Sequence, residues 1–197
     1  RRAPGNISTE ILVRTVEAKD PYTAGHAERV ARYALLGARE LGAGEEELRD
    51  LHMGALLHDV GKIGLPDRIL RGEAPLSEAD WRLIQAHPIK GDEILTPLKV
   101  HPRLRPYVRW HHEKLDGSGS PDGLTELPLL VQGLSAADMY DALTSRRTYR
   151  KAVRPEEALE ALEREVREGR LALEAVRALR SGLRRGASEA EGHVLHL

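Results

Sequence analysis

Histidine and aspartate recur in this sequence at positions where helical spacing otherwise places apolar side chains. Leu104, Val108, His111 and His112 fall at i, i+4, i+7 and i+8, so both imidazoles continue an apolar stripe. Leu51 and Ala55 lead to His58 and Asp59, and Tyr22, His26, Val30 and Tyr33 share a face. Trp81 and Ile84 lead to His87 in three-residue steps, and Leu134 leads to Asp138 and Asp141. A carboxylate turned into a core is costly unless it is paired or bound to a metal. Any one such His is ordinarily a hydrogen-bonded core residue. Five His and two of these Asp converging in one domain are hard to satisfy by hydrogen bonds alone. They are the nitrogen and oxygen donors that hard-to-borderline divalent cations take. They are also too many for one ion, and point to two ions ~3.5–4 Å apart sharing a carboxylate, the arrangement used for phosphoryl chemistry. His52, on a stripe with Leu48 and Leu56, is read as a core or boundary residue. His101, His193 and His196 fall in expected loop or tail and are given no role.

The elements that carry these residues read as helices nearly throughout. Apolar residues recur at three- and four-residue spacing, and no stretch alternates with the period of two of a half-buried strand. The pattern predicts helices over roughly 8–19, 22–41, 45–59, 78–87, 88–95, 102–112 and 128–145, then two more from Pro155 to about 184. Asn6 and Ser8 are candidate caps for the first, and Glu45, Glu46 and Glu47 suit the first turn of the third. Ser77 with Asp80 forms a capping-box pattern. Gly61, Gly64 and Pro66 break the chain before a short turn at Asp67–Leu70, and 116–123 is a Gly- and Pro-rich loop. The fold class is therefore all-α: one domain over residues 1–197, a helical bundle with a metal site buried between helices, its last residues from Gly186 a loosely held tail.

Composition narrows the chemistry further. With no Cys, disulfides, thiolate nucleophiles and Cys-based zinc or iron–sulfur sites are excluded. A formal net charge of −1 excludes a protein held to DNA by bulk electrostatics. No apolar run approaches the ~20 residues that cross a bilayer, and no signal-peptide pattern opens the chain. The reading is cytoplasmic, without membrane insertion. Arg1 and Arg2 in place of Met suggest a piece of a longer protein.

The residues also carry a resemblance. His58-Asp59-Val60-Gly61-Lys62 matches the HD-x-GK signature of HD-domain phosphohydrolases. It is followed by Ile63-Gly64-Leu65-Pro66, by His87-Pro88 with Gly91, by HHEKLDGSGSPDGL over 111–124 and by ADMYDALTSRRTYR over 137–150. This succession, covering roughly residues 8–165, resembles the HD-GYP subgroup, whose members hydrolyse the bacterial second messenger cyclic di-GMP. The resemblance implies that His26, His58, Asp59 and Asp138 surround one metal. Asp59 would bridge to a second, completed by His87, His111 and His112. It implies iron or manganese, a Lys62 that contacts the scissile phosphate, and Arg147 and Arg150 that hold phosphate or guanine. Asp141 would orient a ligand or a water. The loop, with Gly117, Gly119 and Ser120, would face substrate at the mouth of the site. An upstream sensor or receiver domain is implied as well, and the first helix could dimerise.

Three departures accompany the match. The GYP triplet reads Gly119-Ser120-Pro121, so a ring is missing from the loop. Tyr22 stands where some members have a Glu that supports a third metal, which favours two. Gly169 to Val176 lacks the family's Phe-Asp-Pro sequence. The mechanism expected is attack by a hydroxide bridging the two ions, with Lys62 offsetting charge on a phosphate oxygen and Asp59 or Asp141 moving the proton. The products would be pGpG and, after a second cut, GMP. The alternatives are an HD phosphohydrolase for another nucleotide, or a non-catalytic module that binds metal or cyclic di-GMP.

Overall fold

A computed structural model describes residues 4–20, 23–72, 75–145 and 151–194. Every regular element among the described residues is a helix. The order is α1 (Pro4–Lys19), α2 (His26–Glu40), α3 (Glu45–Leu57), a 3-10 turn (Val60–Gly64), α4 (Asp67–Leu70), α5 (Glu78–Gln85), α6 (His87–Leu95), α7 (His101–Trp110), α8 (Leu129–Thr144), α9 (Pro155–Arg167) and α10 (Leu173–Val194). The three- and four-residue spacing thus gives the all-α class it predicts.

Local chemistry sets the boundaries. Ser77 Oγ accepts from the Asp80 N–H, and Asp80 Oδ2 accepts from the Ser77 N–H at 2.9 Å, closing the expected capping box. The Gly44 N–H donates to Glu47 Oε2, with three acidic residues in the first turn of α3. Gly25, at φ 71°, interrupts the periodic stretch expected from residue 22, so α2 begins at His26 itself. The third helix stops at Leu57 rather than 59, and the chain turns at once. A Cβ on Gly61 would lie 1.8 Å from the His87 carbonyl oxygen and 2.7 Å from the Gly91 nitrogen, so only glycine lets this turn press onto α6.

Small side chains make α2 the axis of the bundle. Ala27, Ala31, Ala34, Gly37 and Ala38 are buried on it, and it packs against α3, α8 and α10. Val30, Leu51, Ala55, Val131 and Leu134 form one apolar cluster between α2, α3 and α8. A second joins Val13 and Val16 of α1 to Leu57, Val60, Leu95, Leu104 and Val108. A third, around Tyr140, Leu162, Val176 and Leu179, docks α9 and α10 on α8. Each fully buried Leu contributes about 1.5–3 kcal/mol. The polar site lies between the first two clusters, where helix ends meet. His26 opens α2, His58 follows α3, His87 opens α6, His111 follows α7, and Asp138 and Asp141 lie within α8.

Some expectations are corrected. Trp81 is 52 % exposed, because among the described residues the short α5 sits at the margin, packed mainly against α6. His52 is exposed, since the buried face of α3 centres on Leu51 and Ala55 and leaves the 48–52–56 stripe at its edge. His101 is not in a loop: it starts α7, and its Nε2 pairs with Asp92 Oδ1 at 2.5 Å. The final helix continues to Val194, past the expected end near 184, through a stretch of Ala, Ser and Glu. Tyr22, Arg147, Arg150 and His196 lie outside the described residues.

Candidate metal centre

One device orients three of the imidazoles. Nδ1 of His58 donates to the Ala55 carbonyl at 2.6 Å, that of His87 to Ile84 at 2.6 Å, and that of His111 to Val108 at 2.9 Å. Each acceptor lies three residues upstream, at a helix end where carbonyls lose their intrahelical partners. A carbonyl only accepts, so Nδ1 carries a proton, and in the neutral ring Nε2 keeps its lone pair. For His26 the acceptor is Asp141 Oδ2, 2.7 Å from Nδ1. Fixing the far nitrogen in this way is how metal-binding imidazoles are commonly held.

The Nε2 atoms converge on one carboxylate. Asp59 Oδ1 lies 3.1 Å from His87 Nε2 and 3.7 Å from His111 Nε2. Its Oδ2 lies 3.4 Å from His58 Nε2 and 3.7 Å from His26 Nε2. Asp138 Oδ1 closes the second side, 3.2 Å from His26 Nε2 and 3.6 Å from His58 Nε2. On the first side the His112 ring stands 4.1 Å from that of His111 and 5.1 Å from that of His87, centroid to centroid. Asp59 thus presents one oxygen to each of two donor groups, one with His87, His111 and His112, the other with His26 and His58. His58 Nε2 is buried and has no hydrogen-bond partner among the described residues. Leaving such an atom unsatisfied costs about 1–3 kcal/mol, which a cation at the focus of these lone pairs would remove. The all-nitrogen-and-oxygen donor set fits a divalent transition metal on either side of Asp59.

Electrostatics agree with a site built for positive charge. Burial alone would raise the Asp59 carboxyl, but His58, Lys62 and His87 outweigh it and hold the group well below the usual carboxylate range. Asp138 behaves likewise, through His26 and His58. Burial would lower His26, yet the hydrogen bonds to Asp138 and Asp141 carry it up to about 10. His111 goes the other way: burial first, then His112, His58 and His87, push it well below its ordinary value.

Lys62 stands where the sequence placed it, with Nζ 2.8 Å from Asp59 Oδ2. Burial would lower the amine, and Asp59 more than offsets this, so it remains an ammonium. Asp141 is 1 % exposed and fully engaged: Oδ2 accepts from His26, Oδ1 from Arg29 Nε at 2.6 Å, and Arg29 Nη2 reaches Oδ2 at 3.1 Å. These contacts hold the Asp141 carboxylate against both the His26 ring and the Arg29 guanidinium. His112, expected to be buried with His111, is exposed, because α7 ends at Trp110 and the pair lies on a turn.

The loop after the His pair is built around its own backbone. A Cβ on Gly119 would lie 2.3 Å from the Lys114 nitrogen, and Gly117 has φ 77°. Both glycines therefore shape the loop. The Ser120 N–H donates to the His112 carbonyl at 3.2 Å, tying the loop to the site.

Three residues of this arrangement escape a sequence reading. Arg29 resembles a surface arginine, although its i+3 offset from His26 is a usable signal. Glu113, 4 % exposed, accepts from the backbone N–H groups of Asp122, Gly123 and Leu124. Its signal is its place beside a loop rich in unpaired N–H groups. Lys19 Nζ reaches the carbonyls of Ile63 and Leu65 from α1, and nothing in the local pattern announces it.

Known proteins resemble this chain in sequence and in fold. The HD domain family matches residues 10–171. The 3′3′-cGAMP-specific phosphodiesterase 3 of Vibrio cholerae is 43% identical over 152 residues, covering 76% of this chain and 33% of the relative. The cyclic di-GMP phosphodiesterase response regulator RpfG of Xanthomonas campestris is 39% identical over 146 residues, covering 72% of this chain and 38% of the relative. Among solved structures, an HDG"Y"P protein from Bdellovibrio bacteriovorus aligns with a TM-score of 0.64 at 26% identity, over 81% of this chain and 51% of that one. The chain spans about a third of the length of these curated relatives, 33% of one and 38% of the other. With its His–Asp pair at the focus of the converging imidazoles, the chain belongs to the HD domain family.

Proposed function

We propose that the chain is a metal-dependent phosphodiesterase that hydrolyses cyclic di-GMP to pGpG and, after a second cut, to GMP. The observation that carries this reading is Asp59, with each oxygen facing its own set of imidazoles and an ammonium alongside. His26, His58, Asp59 and Asp138 would hold one ion, and Asp59, His87, His111 and His112 the other, iron or manganese in each. Bound ions supply Lewis acidity, which acidifies water and spreads the negative charge of a phosphodiester. Lys62 contributes a fixed positive charge to a phosphate oxygen, where charge accumulates as the P–O bond breaks. As a retained ammonium it stabilises charge and does not act as a base. Asp141 and Arg29 keep the His26 ring turned toward the site. The exposed His112 and the Glu113-anchored loop form the open side, through which a dinucleotide reaches the centre. Arg147 and Arg150 would hold phosphate or guanine, as would the partly exposed Ser120.

A second reading has 3′3′-cGAMP as the substrate, favoured by the 43% identical relative of that name. The two dinucleotides differ at one base and share the phosphodiester bonds that the donor groups around Asp59 would act on. The response-regulator name of the Xanthomonas relative supports a further part of the proposal. In it the domain acts in the cytoplasm as the output of a longer chain with an upstream sensor or receiver domain, dimerised through α1. The test is turnover of both dinucleotides by protein loaded anaerobically with Fe(II) or Mn(II), with products separated by chromatography. Faster loss of cyclic di-GMP with pGpG or GMP appearing supports the first reading, and faster loss of 3′3′-cGAMP the second. Both dinucleotides intact at two metal equivalents overturns the hydrolase reading.

A further inference from the structure

The last residue of α1 reaches the turn that carries Lys62. Lys19 Nζ donates to the carbonyl oxygens of Ile63 and Leu65, each at 2.7 Å, and lies 3.7 Å from Asp67 Oδ1. Its side chain is only 30 % exposed, unlike that of a freely solvated lysine. The Val60–Gly64 turn needs such an anchor. It is a five-residue 3-10 segment, bounded by hydrogen bonds from Lys62 N–H to Asp59 O and from Leu65 N–H to Lys62 O, both 3.0 Å. Bonds of this kind have poor geometry, and the last carbonyls of a helical segment project without intrahelical donors. A cation on those carbonyls makes charge-assisted hydrogen bonds at the negative end of the segment. The opposite side is already fixed, because Gly61 is pressed against the α6 backbone at His87 and Gly91. Along its length α1 supports the same region, with Val13 and Val16 packed among Leu57, Val60 and Ile63.

We infer that Lys19 is a positioning residue for hydrolysis: its ammonium ties the end of the Val60–Gly64 turn to α1 and so sets where Lys62 Nζ stands beside Asp59. The kinetic half of this inference rests on the phosphodiesterase reading; the structural half does not. The experiment compares the parent chain, Lys19→Met and Lys19→Arg, all loaded with Mn(II). Met keeps the apolar stem and removes the charge, whereas Arg can again donate to two carbonyls. In Lys19→Met, kcat falls about tenfold or more, as misplacement of a charged group by a fraction of an ångström can produce, while KM stays within about twofold. Metal equivalents are unchanged, and Lys19→Arg restores most of kcat. Independently of turnover, the Lys62 and Leu65 amides exchange with deuterium about tenfold faster in Lys19→Met, the mark of a loosened turn. Parent-like exchange at both amides overturns the inference. So does an unchanged kcat with only a lower melting temperature, or a kcat loss matched by metal loss. A parent that turns over no cyclic dinucleotide removes the phosphodiesterase reading, and the exchange comparison still decides for or against Lys19.

Discussion

Replacing Asp141 by Asn tests whether the two donor groups around Asp59 are separately supported. The carboxylate makes contacts of 2.7 Å to His26 Nδ1 and of 2.6 and 3.1 Å to Arg29. An amide cannot reproduce this set. If the Asn oxygen faces His26, its NH2 meets the Arg29 guanidinium, donor against donor. If the NH2 faces His26, Nδ1 must become an acceptor, so the ring keeps its proton on Nε2, the nitrogen that faces Asp59 and Asp138 and would take the ion. Arg29 is 33 % exposed, so water takes up part of the lost pairing. The loss then falls on ion affinity, about 10–100-fold for a partner that orients a ligating imidazole. That corresponds to about 1.4–2.7 kcal/mol. It is confined to the His26 side, because His87 and His111 are oriented by the carbonyls of Ile84 and Val108. Titration of metal-free protein with Mn(II), followed by the electron spin resonance of free ion, resolves the two sites. The expected result is one site weakened by this factor and the other unchanged. Two unchanged sites, or two sites weakened equally, would refute the reasoning.

Three further outcomes concern His26 and Glu113. Metal-free His26 is held up at about 10, so an ion taking its Nε2 expels a proton at any pH below that value. Affinity for Mn(II) therefore rises with pH, by up to about tenfold per unit for each proton released. Calorimetry in two buffers of different ionisation enthalpy measures the release, and its absence at pH 7.5 contradicts the assignment. With the metal-free chain the sign reverses: a raised imidazole stabilises fully below its ordinary 6.5, and that contribution disappears as pH climbs to about 10. Glu113→Gln offers one acceptor oxygen to three backbone donors and turns an NH2 toward them, a loss of about 1.5–3 kcal/mol. Thermal denaturation and protease cleavage within 116–124 report it; a parent-like melt with an uncut loop shows that the clamp is dispensable.

Much of the fold was legible because it is written in short-range physics. Three- and four-residue spacing marks which face of a helix is buried, and the Ser77–Asp80 box marks where α5 starts. The same spacing showed His26, His58, His87, His111 and Asp138 interrupting apolar stripes. What failed lay at margins, where periodicity records a face but not whether anything covers it. Trp81 continues the stripe that leads to His87, yet among the described residues α5 packs mainly against α6 and leaves the ring exposed. His112 continues the stripe of His111, yet the helix ends first and the backbone turns it outward.

The sequence by itself determined which donors are available: nitrogen and oxygen only, in a number that would exceed one ion's needs, and a lysine three residues from the central aspartate. Tertiary structure alone decided how those donors divide. That His26 and His58 face one oxygen of Asp59 while His87 and His111 face the other depends on how α2, α3, α6 and α7 bring their ends together. Arg29 and Asp141 meet across 112 residues of chain, and Lys19 meets Ile63 across 44. Helical spacing reports only on neighbours within a turn or two, so contacts made by packing between distant segments leave no local trace.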